Sequence, residues 1–250
     1  MKPENPGMAQ QAVNKAAELI FSTQIEGANN LEVEVNAHPD RITSGAVDSI
    51  WLSAEEVALS PNLQVEKLDI QMVKIAIDPL RAVFGNVQLT QPSEGKTRIV
   101  LNQENLAYAL NSQKVRDRLQ AQDFVLSDRT ETIELIRVEC QIKSISTIKV
   151  NTEVLLQSTG EKQFLSFEYT FSFDRELSEI TIVALEDGEA SDLGFFRQVQ
   201  GFISTQIYEL LNLRHFELEG VSVCVCRLDV RDGALELQAQ IDIQKIPSKS

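Results

Sequence analysis

The sequence predicts an α+β fold in which a strongly curved antiparallel β-sheet wraps long amphipathic helices. Alternation of apolar and polar residues recurs through most of the 250-residue chain, which is typical of strands with one face against a core. Apolar residues change face within some of the longest strands, which predicts β-bulges, and bulges bend sheets. Three other segments repeat apolar residues at helical spacing, and the last is apolar around most of its circumference.

The N-terminal part of the chain predicts one helix and two strands. Residues from about Ala9 to Thr23 have helical spacing, and Gly27 ends that segment. Leu31–Val35 alternates apolar with acidic residues, as a half-buried antiparallel strand does. A second alternating region runs from Gly45 to Leu59, and Pro61-Asn62 breaks it.

The next strand changes the face on which its apolar residues lie, which predicts either a bulge or a strand that crosses from one environment to another. One parity carries Leu68, Ile70 and Met72, and the other carries Val73, Ile75 and Ile77. Further on, the residues from about Gln103 to Gln120 have helical spacing and predict one helix. Asn102 is the expected N-cap, with Asn105 at the third helical position.

From Phe124 to Leu185 the pattern is nearly all strand, with a parity change between Leu135 and Val138. One strand is a ladder of five apolar residues: Leu165, Phe167, Tyr169, Phe171 and Phe173. Ser191 or Asp192 can cap a long helix that reaches about Leu213. The last two strands, Gly220–Val230 and Ala234–Ile243, form a hairpin around the turn Asp232-Gly233.

The domain organisation predicted from these patterns is simple. Residues 1–8 form a disordered N-terminal tail, residues 9–245 form a single domain, and residues 246–250 form a frayed tail. The order helix, Glu-Gly, strand occurs twice, at Glu26-Gly27 and at Glu219-Gly220, which leaves two related halves as an open alternative.

Charge restricts the partners that the chain can have. The formal net charge is -14, so a strong field repels nucleic acid, and no basic patch offsets it. Anionic bilayers are repelled as well, so any membrane contact is expected to be local and transient. The cations Lys114, Arg116 and Arg118 are interpreted as a solvated helix face.

Catalytic and metal-binding signatures are missing from the sequence. The two histidines, His38 and His215, lack a neighbouring nucleophile with an orienting acid, and no phosphate-binding or dinucleotide-binding motif occurs. Cys224 and Cys226 lie on one face of a predicted strand and are interpreted as small buried side chains. We therefore expect no enzyme activity, no catalytic residues, no metal and no cofactor.

The polar N-terminus predicts a cytoplasmic location.

Several short segments carry a family resemblance. They are turns, caps and strand registers: Asp78-Pro79-Leu80-Arg81-Ala82-Val83-Phe84-Gly85, Leu89-Thr90-Gln91-Pro92, Leu101–Leu106 and Ala109–Ser112, with Gly45–Ile50 and Leu63–Met72 upstream. In these segments the chain resembles the cyanobacterial branch of the LmeA-like phospholipid-binding family, formerly a domain of unknown function. The resemblance covers Ala9 to Ile243 and includes no catalytic signature.

The resemblance implies a fold similar to the tubular lipid-binding (TULIP-like) domains, in which lipid tails lie in an apolar groove between sheet and helix. It implies non-enzymatic binding of phospholipid or another acyl lipid, and it leaves transfer open. The residues expected to line the groove are Phe195, Val199, Phe202 and Ile203 from the last helix, with Leu165, Phe167 and Phe171 opposite. The alternative is an acidic protein–protein interaction module with a fully packed core and no ligand. The oligomeric state is not predicted.

Overall fold

The computed structural model describes residues 28–38, 46–76, 89–143, 146–176, 179–185, 192–212, 221–231 and 233–244. Their elements, in chain order, are β1 (Asn29–Asn36), β2 (Ala46–Ser60), β3 (Leu63–Ala76), β4 (Ser93–Leu101), α1 (Gln103–Leu110), α2 (Gln113–Gln120), β5 (Phe124–Leu126), β6 (Arg129–Glu131), β7 (Ile133–Lys143), β8 (Thr147–Leu156), β9 (Lys162–Asp174), β10 (Glu179–Leu185), α3 (Leu193–Leu211), β11 (Val221–Arg231) and β12 (Ala234–Ile243).

The strands form two open antiparallel sheets and one small hairpin. The larger sheet has six strands in the order β1-β2-β3-β4-β12-β11, and the smaller has four in the order β10-β9-β8-β7. The hairpin consists of β5 and β6. The α+β class and the antiparallel pairing are therefore confirmed. The prediction of one strongly curved sheet is corrected, because the strands divide between two sheets that are neither closed nor strongly curled.

The predicted irregularities are found only in part. The register of β7 against β8 shifts between Leu135 and Arg137, which confirms the bulge predicted there. In β3 the pairing with β2 continues through Val73 and Ile75, and the irregularity is a positive φ of 57° at Lys74. The prediction of a bulge at this point of β3 is therefore wrong: the register is unchanged, and the distortion is confined to the backbone at Lys74.

The single helix predicted from Gln103 to Gln120 is wrong, because α1 and α2 are separate helices. α1 begins as predicted. The side chain of Asn102 accepts from the backbone N–H of Asn105 at 2.9 Å, and the side chain of Asn105 accepts from the backbone N–H of Asn102 at 3.0 Å. The break follows Asn111, where Ser112 adopts extended backbone with ψ of 154°.

Asn111 ends α1 by bonding to a strand. Its side-chain amide donates to the carbonyl of Val138 in β7 at 2.8 Å and accepts from the N–H of the same residue at 2.9 Å. The guanidinium of Arg116 in α2 donates to the carbonyls of Leu135 and Ile136 in the same strand. The junction of α1 and α2 thus covers β7, the outermost strand of the four-stranded sheet.

One apolar core joins both sheets and all three helices. It includes Leu52 and Leu237 from the six-stranded sheet, Phe167 from the four-stranded sheet, and Leu106 and Ile203 from helices. α1 packs against β3, β4 and β7, so it fills the space between the sheets. α3 packs against β5, β9, β10 and α1, which confirms that other elements contact this helix on several sides.

Some predictions concern residues outside the described part of the chain. The helix from Ala9 to Thr23, the turn motif from Asp78 to Gly85 and both Glu-Gly pairs lie there. The division into tails and a single domain over residues 9–245 stays a prediction.

Candidate functional site

The seven residues predicted to line a groove lie on α3 and β9, two elements that contact each other, and we call the apolar faces of this pair the seam. It consists of Leu165, Phe167 and Phe171 from β9 and Phe195, Val199, Phe202 and Ile203 from α3, all members of the same apolar cluster. Their side chains are between 0% and 9% exposed. In this conformation, other protein groups therefore cover them almost completely.

The aromatic contacts in the seam differ by one residue from the predicted arrangement. The ring of Phe167 contacts Phe196, with centroids 4.8 Å apart, whereas Phe195 packs edge-on against Phe124 of β5 at 6.1 Å. Phe196 and Phe124 were absent from the predicted set. The spacing of α3 already marked Phe196 as apolar, but a three-residue strand such as β5 gives too short a pattern to indicate the position of Phe124.

One polar contact crosses the apolar seam. The hydroxyl of Tyr169 in β9 donates to the backbone carbonyl of Gln200 in α3 at 2.9 Å. The side-chain amide of Gln200 donates to the backbone carbonyl of Leu185 at 3.3 Å. Burial raises the pKa of Tyr169 far above its usual value, so the hydroxyl is neutral and serves as a hydrogen-bond donor. This chain of bonds fixes the position of α3 along the strand.

The N-terminus of α3 is attached to the β5–β6 hairpin. The carboxylate of Asp192 accepts from the N–H of Phe195 at 2.9 Å, which confirms one of the two predicted caps. The same carboxylate accepts from the N–H of Ser127 in the hairpin at 2.8 Å. These backbone hydrogen bonds, with the one from Phe195 foremost, lower the pKa of Asp192.

A second attachment joins the hairpin to α3 one turn further on. The side-chain amide of Gln198 accepts from the N–H of Val125 at 3.0 Å and donates to the carbonyl of Val125 at 3.1 Å. The hairpin therefore covers Phe195 through Phe124, and hydrogen bonds to Gln198 and Asp192 attach it to α3 at the surface.

The far half of α3 is attached to α2 by the guanidinium of Arg118. It donates to the side chain of Gln206 at 3.1 Å and pairs with the carboxylate of Glu209. Lys114 and Arg118 are exposed, in keeping with the predicted solvated face, whereas Arg116 is half-buried and bonds to β7; Arg118 makes specific contacts all the same. The spacing alone could not indicate this, because the acceptors lie on elements distant in sequence.

The cysteines differ from the prediction as well. Cys224 and Cys226 lie on one face of β11, as predicted, but both are exposed, because Val225 between them is the residue that faces the core. Cys140 is buried in β7, and burial raises the pKa of its thiol to about 12, so it is an unreactive apolar side chain.

The chemistry of the seam is that of hydrocarbon contact. Apart from the Tyr169 hydroxyl and the neutral amide of Gln200, its side chains are aliphatic and aromatic. Across the described ranges, no cluster of three or more histidine, cysteine, aspartate or glutamate side chains could hold a metal ion. None of the helices in the described part of the chain is long and apolar enough to cross a membrane.

Comparison with known proteins gives one match. The sequence profile of the family described as LmeA-like phospholipid-binding matches residues 7–240, which is nearly the whole chain. Searches of curated proteins and of solved structures found no significant match.

Proposed function

Because the chain belongs to the LmeA-like phospholipid-binding family, we propose that it binds a phospholipid or another acyl lipid in the seam between α3 and β9, without catalysing a reaction. The family match over nearly the whole chain carries this proposal, since the family is a lipid-binding one and is not a known enzyme family. The burial of the predicted groove residues supports the location, because they belong to one apolar cluster and lie on two elements that contact each other.

Lipid uptake through the seam requires it to open. Exposing a buried apolar side chain of this size costs about 1.5–3 kcal/mol, so exposing all seven to water would cost on the order of 10–20 kcal/mol. That is comparable with the whole stability of a typical domain, which is about 5–15 kcal/mol. We therefore propose that α3 separates from β9 only as hydrocarbon replaces the lost contacts.

Transfer between membranes is part of the same proposal. Removing one CH2 group from water gains about 0.8 kcal/mol. A lipid in a bilayer is already out of water, so moving it into the protein is close to neutral. Such a protein equilibrates lipids between membranes.

A relationship to the tubular lipid-binding domains is supported by α3, a 19-residue helix that other elements contact on several sides. The cytoplasmic location and the cyanobacterial branch stay predictions.

The proposal is tested by the lipid content of the purified protein. Native mass spectrometry of protein isolated from cells should show a bound acyl lipid, which organic extraction then identifies. A second sample, stripped of lipid, should take up phospholipid from vesicles. Lipid-free protein that takes up nothing from vesicles would contradict the proposal.

A specific observation favours the alternative, a packed interaction module without a ligand. The seam residues are at most 9% exposed, as in an ordinary filled core. The variant Phe202→Glu separates the two functions, with Thr205→Glu as its control on the exposed side of α3. Loss of lipid uptake with folding retained supports a lipid seam. Unfolding of Phe202→Glu, with Thr205→Glu unaffected, supports the module.

A further inference from the structure

Three large apolar side chains are exposed near the end of the sheet where α3 begins: Leu193 and Val125 beside the helix, and Phe164 on the face of β9 that points away from it. Leu193, the first residue of α3, is 57% exposed, and Val125 in β5 is 51% exposed. Phe164, near the start of β9, is 75% exposed. Single exposed apolar residues are ordinary on protein surfaces, so the position of these three matters more than their number.

The contacts of the chain place all three at one end of the four-stranded sheet. Glu131, at the end of the β5–β6 hairpin, accepts from the N–H of Ser158 in the turn between β8 and β9 at 3.0 Å. Phe164 is the third residue of β9, the strand that follows that turn. α3 begins at the same end, because Phe196 contacts Phe167, and Gln200 further along α3 contacts Tyr169 further along β9. We call this end, with Val125, Phe164 and Leu193, the apolar tip.

The apolar tip lies where the seam would have to open. The β5–β6 hairpin covers Phe195 and is held to α3 by the packing of Phe124 on Phe195 and by surface hydrogen bonds to Gln198 and Asp192. Opening toward water is costly for the reason given above, whereas opening against hydrocarbon is not. A bilayer that contacts this end would supply both the lipid and the apolar surroundings that the exposed side chains lack.

Charge indicates which kind of bilayer fits. The tip carries charges of both signs: Arg129 and Lys162 are cationic, and Asp128, Glu161 and Asp192 are anionic. Such a surface suits zwitterionic headgroups, while the net charge of -14 disfavours an anionic membrane.

We propose that the apolar tip is the surface by which this protein docks on a zwitterionic phospholipid bilayer, with Val125, Phe164 and Leu193 inserted among the lipids. This inference rests on the proposed lipid-binding function and adds to it the partner and the docking surface. The β5–β6 hairpin is then the part of the fold that the membrane displaces from α3.

The chain offers a matched pair of variants for the test. Val183 is 53% exposed, like Val125, but it pairs with Thr170, six residues beyond Phe164 along β9. That separation is about 20 Å at the usual rise of a strand. Val125→Glu and Val183→Glu therefore add the same charge at sites of equal exposure, one at the tip and one away from it.

The experiment measures flotation of the full chain with phosphatidylcholine vesicles. We expect Val125→Glu to weaken binding several-fold, the triple variant Val125→Glu, Phe164→Glu, Leu193→Glu to weaken it at least tenfold, and Val183→Glu to leave it unchanged. Circular dichroism and thermal melting confirm that each variant is folded, which is expected because the altered side chains are exposed.

Two results would overturn the inference: vesicle binding by the triple variant at the wild-type level, or an equal loss for Val183→Glu and Val125→Glu. The proposed function has its own readout, the lipid bound to the wild-type protein in native mass spectrometry. A wild-type protein that carries lipid, with tip variants that still dock, would refute the tip and leave lipid binding intact.

Discussion

At the scale of single residues, Glu131 is the clearest case of a charge that stabilises the fold. Its side chain is buried where the β5–β6 hairpin meets the turn between β8 and β9. It accepts hydrogen bonds from the hydroxyl and the N–H of Ser158. These bonds, that from the hydroxyl foremost, lower the pKa of Glu131 below its usual value of 4.5.

We predict that Glu131→Gln destabilises the protein by about 1–3 kcal/mol at pH 7, because hydrogen bonds to a charged acceptor are lost. The pKa is lower in the folded state, so this stabilisation is present above the unfolded pKa and is lost as pH falls through the folded one. The difference from wild type should therefore shrink in acid. Urea unfolding at pH 7 and at pH 4 measures it. An equal effect of Glu161→Gln, which removes an exposed carboxylate nearby, would contradict the prediction.

At the scale of elements, local sequence patterns predicted strands and caps well and failed where a contact is distant. The caps Asn102 and Asp192 and the β11–β12 hairpin follow from residues next to one another. The break after α1 does not, because the partner of Asn111 is Val138, 27 residues away. Local alternation also accounts for Cys224 and Cys226, since Val225 between them is the buried residue of β11.

The seam illustrates the same limit. Periodicity identified the apolar residues of α3 and β9, and those residues pack together. It could not identify Phe124, which reaches Phe195 from a short hairpin, or the Tyr169–Gln200 bond, which needs both elements in place.

The hairpin makes a testable element-scale prediction through Gln198. In Gln198→Ala, the N–H and the carbonyl of Val125 lose their partners on α3. We expect faster hydrogen exchange at Val125 and faster lipid uptake, with global stability lowered by only about 1 kcal/mol, because the bonds are exposed. Hydrogen exchange read out by mass spectrometry and lipid uptake from vesicles measure the two effects.

Thr205→Ala, on the exposed face of α3, is the control. Unchanged exchange at Val125 in Gln198→Ala would show that the hairpin is held by its apolar contacts alone.

At the scale of the whole molecule, charge should govern how fast the protein exchanges lipid with membranes. The net charge of -14 repels anionic vesicles over a distance of about 30 Å at 0.01 M salt, but of only about 8 Å at 0.15 M salt. We predict slower lipid exchange with anionic than with zwitterionic vesicles at low salt, and a smaller difference at physiological salt. Transfer of a fluorescent phospholipid at the two salt concentrations measures this. Rates on anionic vesicles that do not respond to salt would contradict it.

The amide of Asn111 has a consequence for how copies of this protein behave when they are crowded. A sheet that presents unsatisfied peptide groups along its border invites an extended segment of another molecule to join it, which is how strand-rich proteins form fibres. On β7, Asn111 occupies the peptide group of Val138, and Arg116 occupies two neighbouring carbonyls. Two side chains thus act as a short surrogate strand and make the part of the border from Leu135 to Val138 unavailable for polymerisation.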